Sequence, residues 1–254
     1  MTEKWRLLKT EDETAFTNMA IDYAVLTASS TGKVPPTVRF YTWKPSAISI
    51  GYFQSLEEEV DTKMCKKLGV DYVRRITGGG AVYHEHELTY SIVIPESHHM
   101  IPKNILQSYG RICGAVIKGL KNLGVESEYA PINDIVTNGK KISGNAQTRK
   151  IKTVLQHGTV LTDVDVEKMF SLLKVPSEKI KDKLITDVKQ RVTSLKDILG
   201  EKVSFQEVAK AMKTGFEEEF NVELIKGDLT KEELMFAGIF EKDFFSTRKW
   251  NHKK

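Results

Sequence analysis

Cysteine is nearly missing from this chain: its 254 residues hold two, Cys65 and Cys113. Neither lies in a metal-ligand spacing, and two isolated thiols do not make a disulfide framework. Long apolar runs are missing too. None approaches the ~18 residues of a membrane-crossing helix, so no membrane attachment is expected. The start, Met1-Thr2-Glu3-Lys4-Trp5-Arg6, has no apolar stretch behind a basic head, which argues against a secretory signal. These absences point to the cytoplasm. Nor is one sign of charge in large excess. The 38 Lys and Arg stand against 34 Asp and Glu, and a formal charge of +4 is too mild a bias for a nucleic-acid binder. Stretches such as Ser177 to Lys189 mix both signs and read as solvated helix. There is no internal repeat and no low-complexity tract.

What is present suits a globular protein: 40% hydrophobic and 28% charged residues, enough for one large α/β domain or one domain with a small appendage. Phe16 to Thr27 has helical periodicity. Thr37 to Trp43 alternates and is rich in β-formers, and Ala47 to Gly51 reads as a second strand. A helix over Leu56 to Leu68 is stopped by Gly69. Strands are expected at Val70 to Arg75, Leu88 to Ile94 and Thr153 to Leu161, and a helix at Ile105 to Leu123. Asn138-Gly139 predicts a hairpin between Asp134 and Ser143. From Val166 onward the chain reads mainly helical, most clearly at Ser204 to Phe220 and Lys231 to Glu241. Hairpins followed by helices predict an α+β fold with mostly antiparallel sheets flanked by helices.

The most informative segment runs from Arg74 and Arg75 through Ile76 and Thr77 to Gly78-Gly79-Gly80-Ala81-Val82-Tyr83-His84. Three glycines let backbone lie against a ligand and take positive φ. Exposed backbone N–H groups cradle anions, and the two arginines add forked donors. The segment is neither a P-loop nor a dinucleotide fingerprint. On composition alone, a flexible loop between strands is an equal reading. The second segment is the hairpin from Asn133-Asp134 to Lys141-Ile142-Ser143-Gly144-Asn145, followed by His157-Gly158. A lysine on a strand can neutralise charge that builds up in a reaction, Asp134 can hold Mg²⁺, and Gly144 permits close approach. Lys140 reads as the solvated lysine on the opposite face. His157 reads equally as a satisfied histidine at a strand end or as a functional one.

Taken together and in order, these segments, with Arg191-Val-Thr-Ser-Leu195 and Trp250-Asn251, resemble the lipoate–protein ligase family, relatives of the biotin–protein ligases. Asn18-Met-Ala-Ile-Asp22 and Ile50-Gly-Tyr-Phe-Gln54 fit as well, so the resemblance spans nearly the whole chain. It implies the biotin/lipoate ligase catalytic-domain fold, with a sheet-rich ligand-binding part to about residue 165 and a helical tail from about residue 166. The reaction it implies has two steps. ATP and Mg²⁺ activate lipoate or octanoate as the acyl-AMP, and the acyl group passes to a lysine of a lipoyl domain. That acceptor would be the glycine-cleavage H protein or a 2-oxoacid dehydrogenase E2. By family position, Arg75, Gly80, Ala81, Val82, Tyr83 and Lys141 would line the ATP or adenylate site. Gly78, Gly79, His84, Lys141, Gly144 and His157 would hold lipoate. Lys141 would be catalytic, and Asp134 is the candidate Mg²⁺ ligand.

The sequence also resembles single-domain bacterial octanoyltransferases, which share the fold and work through a cysteine acyl-thioester. Their cysteine lies shortly upstream of the hairpin carrying Lys141. Here that stretch reads Tyr129-Ala-Pro-Ile-Asn-Asp134, with no cysteine. Cys113, mid-helix, and Cys65, in a lysine-rich helix, read as packing. On this ground an ATP-dependent ligase is the expectation. Transfer from acyl carrier protein or H protein, or a non-catalytic lipoate-binding scaffold, stand as alternatives. Many ligases continue into a small accessory domain after the Trp-Asn segment. Here Trp250-Asn251 is followed by His252-Lys253-Lys254, so that domain is expected to be absent. Either a separate accessory subunit supplies it or the enzyme works without one.

Overall fold

A computed structural model describes residues 2–175 and 178–253 of the chain. Ser177, in the mixed-charge stretch named above, lies outside the described residues. The fold is α+β: one mixed eight-stranded sheet, one three-stranded sheet, and helices packed on both.

β1 (Glu3–Glu13) opens the chain and leads into α1 (Ala15–Ser30), whose first turn is capped by the Thr14 side chain accepting from Thr17 N–H. β2 (Thr37–Trp43) and β3 (Ala47–Ile50) follow as expected. The single helix expected over Leu56 to Leu68 is instead two, α2 (Leu56–Glu59) and α3 (Thr62–Leu68). Val60 between them is extended and bridges to Leu173, while Asp61 caps α3 through two backbone N–H groups. A tertiary strand-like contact and a new cap outweigh continuous helical periodicity here. β4 (Asp71–Arg74), β5 (Val82–His84) and β6 (Glu87–Pro95) enclose the glycine segment. α4 (Ile105–Lys121) begins at the Asn104 cap. β7 (Glu128–Ala130), β8 (Asp134–Thr137), β9 (Lys140–Lys150) and β10 (Thr153–Leu161) form an antiparallel run.

The remainder is α5 (Val166–Leu172), α6 (Glu178–Arg191), α7 (Leu195–Leu199), α8 (Phe205–Phe220), α9 (Lys231–Phe240), a π-turn over Glu241–Phe245, and α10 (Arg248–Asn251). It is not all helix. β11 (Val222–Lys226) returns and pairs parallel to β1. Neither strand was legible: β1 mixes charge into its burial pattern, and β11 is a short edge strand with one face in water.

The large sheet has the order β11-β1-β2-β6-β10-β9-β8-β7, and the small one β4-β3-β5. Most pairings among the described residues are antiparallel. The parallel ones are β1 with β2, β1 with β11, and β3 with β4. α4 and α8 cover one face of the large sheet over a core that includes Phe40, Tyr90, Ile92, Val116, Met212 and Phe216. α1 and α9 cover the other face with Met19, Leu26, Tyr41 and Leu155. Arg6 on β1 grips Glu233 of α9 with two buried hydrogen bonds, one of 2.7 Å and one of 2.5 Å. No helix among the described residues is long and apolar enough to cross a membrane. Between the two sheets lies a cavity, and the segments singled out above meet there.

Candidate functional site

Strand alternation decides which residues reach the cavity. On β5, Val82 and His84 line it, whereas Tyr83 between them packs on the other face against the cluster that holds Ile48 and Leu56. Tyr83 was expected at a nucleotide site. Its phenol instead sits under the Lys168 ammonium, 5.8 Å from the ring centroid, and burial raises its pKa. Gly79, Gly80 and Ala81 line the cavity, while Gly78 does not.

Arg75 shapes the glycine loop from beneath. It is 5% exposed, and its Nη1 donates to Ser49 O (2.9 Å) and Ser49 Oγ (3.2 Å). Its Nη2 donates to Gly78 O and Gly80 O, both at 2.8 Å. The guanidinium therefore braces the loop as well as lining the cavity. Burial lowers its pKa to about 10, so it keeps its charge at neutral pH. Arg74 is a second buried guanidinium with no carboxylate partner among the described residues. It donates to the carbonyls of Gly51, Tyr52, Gln54, Trp250, Asn251 and Lys253, tying the chain end to the Tyr52 turn.

The three glycines are not equivalent. Gly79 has φ +98°, and a β-carbon there would lie 2.9 Å from Arg75 Nη2. A β-carbon on Gly51 would lie 2.0 Å from Gly79 O, whereas one on Gly78 would meet nothing within 4 Å. Gly78→Ala is therefore expected to leave ligand binding and stability near wild type. Gly51→Ala should lower stability by about 1–3 kcal/mol and displace the loop. Thermal denaturation of the two variants side by side checks this; equal melting points would refute the close-packing account.

At the opposite wall, β8 and β9 present Lys141. A register shift between Ile135 and Val136 lays its side chain over Gly144, where a β-carbon would sit 2.9 Å from Nζ. Lys141 Nζ lies 2.6 Å from Asp134 Oδ1, and both side chains are about one-third exposed (38% and 35%). Asp134, expected as a Mg²⁺ ligand, is thus the counter-ion of Lys141. It does not line the cavity, and a cation held there would meet the ammonium at close range. The donor set does not fit a divalent metal. Asn145, next on β9, exchanges hydrogen bonds with Asn133 and accepts from Tyr90 OH at 2.6 Å, which pins the Asn133 turn over the cavity.

The inner wall is built from two histidine networks. His157 shares a 2.7 Å hydrogen bond with Thr77 Oγ1 and lies 3.4 Å from Asp22 Oδ2. Asp22 also accepts from Arg39 (2.9 Å), Ser91 (2.8 Å) and Tyr41 (3.1 Å). Burial alone would raise the Asp22 carboxyl, but His157, Arg39 and Ser91 outweigh it and hold it below its ordinary value. Burial lowers the His157 imidazole, partly opposed by Asp22. His84 stacks on Trp43 with centroids 4.0 Å apart. Its Nδ1 is 2.5 Å from Glu87 and its Nε2 is 2.8 Å from Ser49 Oγ. Both histidines line the cavity with each ring nitrogen engaged.

Met19, Tyr41, Trp43, Ser49, Thr89 and Thr159 complete the wall. Their individual roles had no motif behind them, since only the meeting of α1, β2, β3, β6 and β10 makes them neighbours. No thiol joins them. Cys65 and Cys113 are fully buried elsewhere, and burial pushes their pKa values up to about 11 and about 12. Among the described residues, one cluster could gather metal ligands, Glu3 with His98 and His99, and it is not part of this wall.

Comparison with known proteins bears on what this cavity does. Residues 14–217 match the family model of the lipoyl protein ligase A/B catalytic domain. Octanoyltransferase LipM of Brevibacillus brevis is 37% identical over 99% of this chain and 100% of its own. A bipartite lipoate protein ligase from Thermoplasma acidophilum, solved in a study that includes its E2 lipoyl domain, superposes with TM-score 0.90 at 32% identity, covering 98% of this chain and 96% of that one. A lipoate-protein ligase A bound with ATP superposes with TM-score 0.84 at 30% identity, over 99% of both chains. The end-to-end match to octanoyltransferases overturns the expectation of an ATP-dependent ligase. An octanoyltransferase moves an acyl group that is already activated. By sequence and fold, this chain belongs to the lipoyl protein ligase A/B catalytic-domain family.

Proposed function

We propose that this protein is an acyltransferase that moves an octanoyl or similar medium-chain acyl group from a thioester donor to the ε-amine of a lysine on a lipoyl-domain acceptor. The observation that carries this reading is the cavity itself. Its inner wall is Met19, Tyr41, Trp43 and the stacked His84, and Lys141 stands in its partly exposed outer wall. An acyl tail fits the inner part, with its carbonyl at Lys141. The end-to-end likeness to octanoyltransferases supports the same reaction.

With both thiols buried and held protonated, the acceptor amine attacks the donor carbonyl directly. The C–N bond forms, the C–S bond breaks, and the departing sulfur takes up the proton that the amine loses. The Lys141 ammonium neutralises the oxyanion, and Arg75 beneath the loop adds to the positive field.

The test mixes the protein with an octanoyl thioester of acyl carrier protein and an acceptor lacking its acyl group, either H protein or an E2 lipoyl domain, without ATP. Intact-protein mass spectrometry should report an octanoyl gain on the acceptor. The Cys65→Ala/Cys113→Ala variant should match wild type. A gain that appears only with free octanoate and ATP, or that disappears with the cysteines, would overturn this mechanism.

A further inference from the structure

Beside the glycine loop, the surface is both basic and apolar. Phe53 is 89% exposed, and Ile151, at the tip of the turn joining β9 and β10, is 53% exposed. The Phe53 ring stands edge-on to Tyr52, 4.9 Å between centroids. Lys253 Nζ lies 3.3 Å from the Tyr52 ring centroid and Lys150 Nζ lies 5.1 Å from it. Lys150, Lys152 and Lys253 have no carboxylate partner among the described residues, and neither has the buried Arg74 under the same turn. The positive potential leaves a mark on Tyr52, whose phenol is held below its ordinary pKa by Lys253, with Lys150 and Arg74 adding to it.

This patch adjoins the cavity. Tyr52 N–H donates to Thr77 O at 2.8 Å, and Gly51 packs on Gly79 in the cavity wall. Lys150 lies four residues along β9 from Ala146, which also lines the cavity, or roughly 13 Å at a strand's rise. A small domain of ~100 residues has a radius of gyration of about 13 Å. Such a domain seated on the patch would reach the cavity with a residue of its own.

We infer that Phe53, Ile151, Lys150, Lys152 and Lys253 form the docking surface for the acceptor, and that the acceptor meets it with an acidic surface around its target lysine. The target lysine is itself a cation, so it gains nothing from a basic enzyme surface. Acidic neighbours on the acceptor would supply the attraction, and Phe53 would anchor it in an apolar contact. The inference rests on the acyltransfer reading for the identity of the occupant.

Its test measures binding separately from turnover. Fluorescently labelled H protein lacking its acyl group is titrated with wild type, Phe53→Ser and Lys150→Glu/Lys152→Glu, at low and high salt. The variants should bind at least ~10-fold more weakly, and wild-type affinity should fall with salt. In turnover, KM for the H protein should rise with kcat nearly unchanged, and acyl transfer to a small soluble amine should match wild type. Unchanged binding in both variants, salt-independent wild-type binding, or an effect on KM for the acyl-carrier donor alone would each overturn the proposal. If wild type transfers no acyl group yet binds H protein through these residues, the docking surface stands and the reaction assigned to the cavity fails.

Discussion

Lys141→Ala is expected to lower the rate of acyl transfer by about 10²- to 10³-fold, the loss seen when one preorganised oxyanion-stabilising group is removed. The fold should tolerate the change. Lys141 is 38% exposed, and its partner Asp134 at 35% can take water in place of the ammonium. The loss should fall on kcat, because the charge it answers is greatest in the transition state. Docking of the acceptor should be unaffected, since Lys141 is not among the residues of the Tyr52 patch. Steady-state kinetics with circular dichroism of the variant check this. A rise in KM alone would make Lys141 a binding group, and wild-type kinetics would remove it from the reaction.

Asp22→Ala should be among the most destabilising single substitutions in the chain, at about 3–5 kcal/mol. It leaves Arg39, 1% exposed, without its one carboxylate partner among the described residues, and strands Ser91, Tyr41 and His157 at the same point. Arg39 keeps its contacts to Thr10 and Asn18, which sets the lower end of the range. Because α1 carries Asp22 and β10 carries His157, the same variant should also loosen the inner cavity wall.

The pH dependence of stability follows from this pair. Both groups have folded-state pKa values below their ordinary ones, 3.8 for the carboxyl and 6.5 for the imidazole. A depressed value means that the folded state resists protonation. The stability each group contributes is therefore complete above its unfolded value and is lost as pH falls. His157 loses its share first, below about 6.5, and Asp22 below about 3.8. Urea denaturation should give a plateau at neutral pH and a decline through pH 6 to 5. A stability that held constant across that interval would contradict a buried neutral His157.

Much of the architecture was legible because it is local. Thr37 to Trp43 alternates and is a strand at those bounds; the helices expected at Ser204 to Phe220 and from Lys231 are present, and the structure starts both with capping boxes; Asn138-Gly139 turns the hairpin. The break at Val60 was not legible, since it depends on Leu173 arriving from more than a hundred residues away. The same distinction divides the site. Glycine runs and a lysine before a glycine announce close approach, and the cavity does contain Gly79, Gly80, Lys141 and Gly144. The inward and outward sense of Tyr83 and the use of Asp134 as a counter-ion depend on sheet pairing and register.

The residues by themselves determined most of the helices, several strands of the large sheet and the Asn138-Gly139 hairpin. Each follows from periodicity, caps and turn chemistry acting within about one turn of chain. Tertiary structure alone decided the rest: the parallel return of β11, the bracing of the glycine loop by Arg75, and the two histidine networks of the inner wall. Those arise because buried charges and hydrogen-bonding groups must find partners wherever the fold brings them, at a distance that no local pattern encodes.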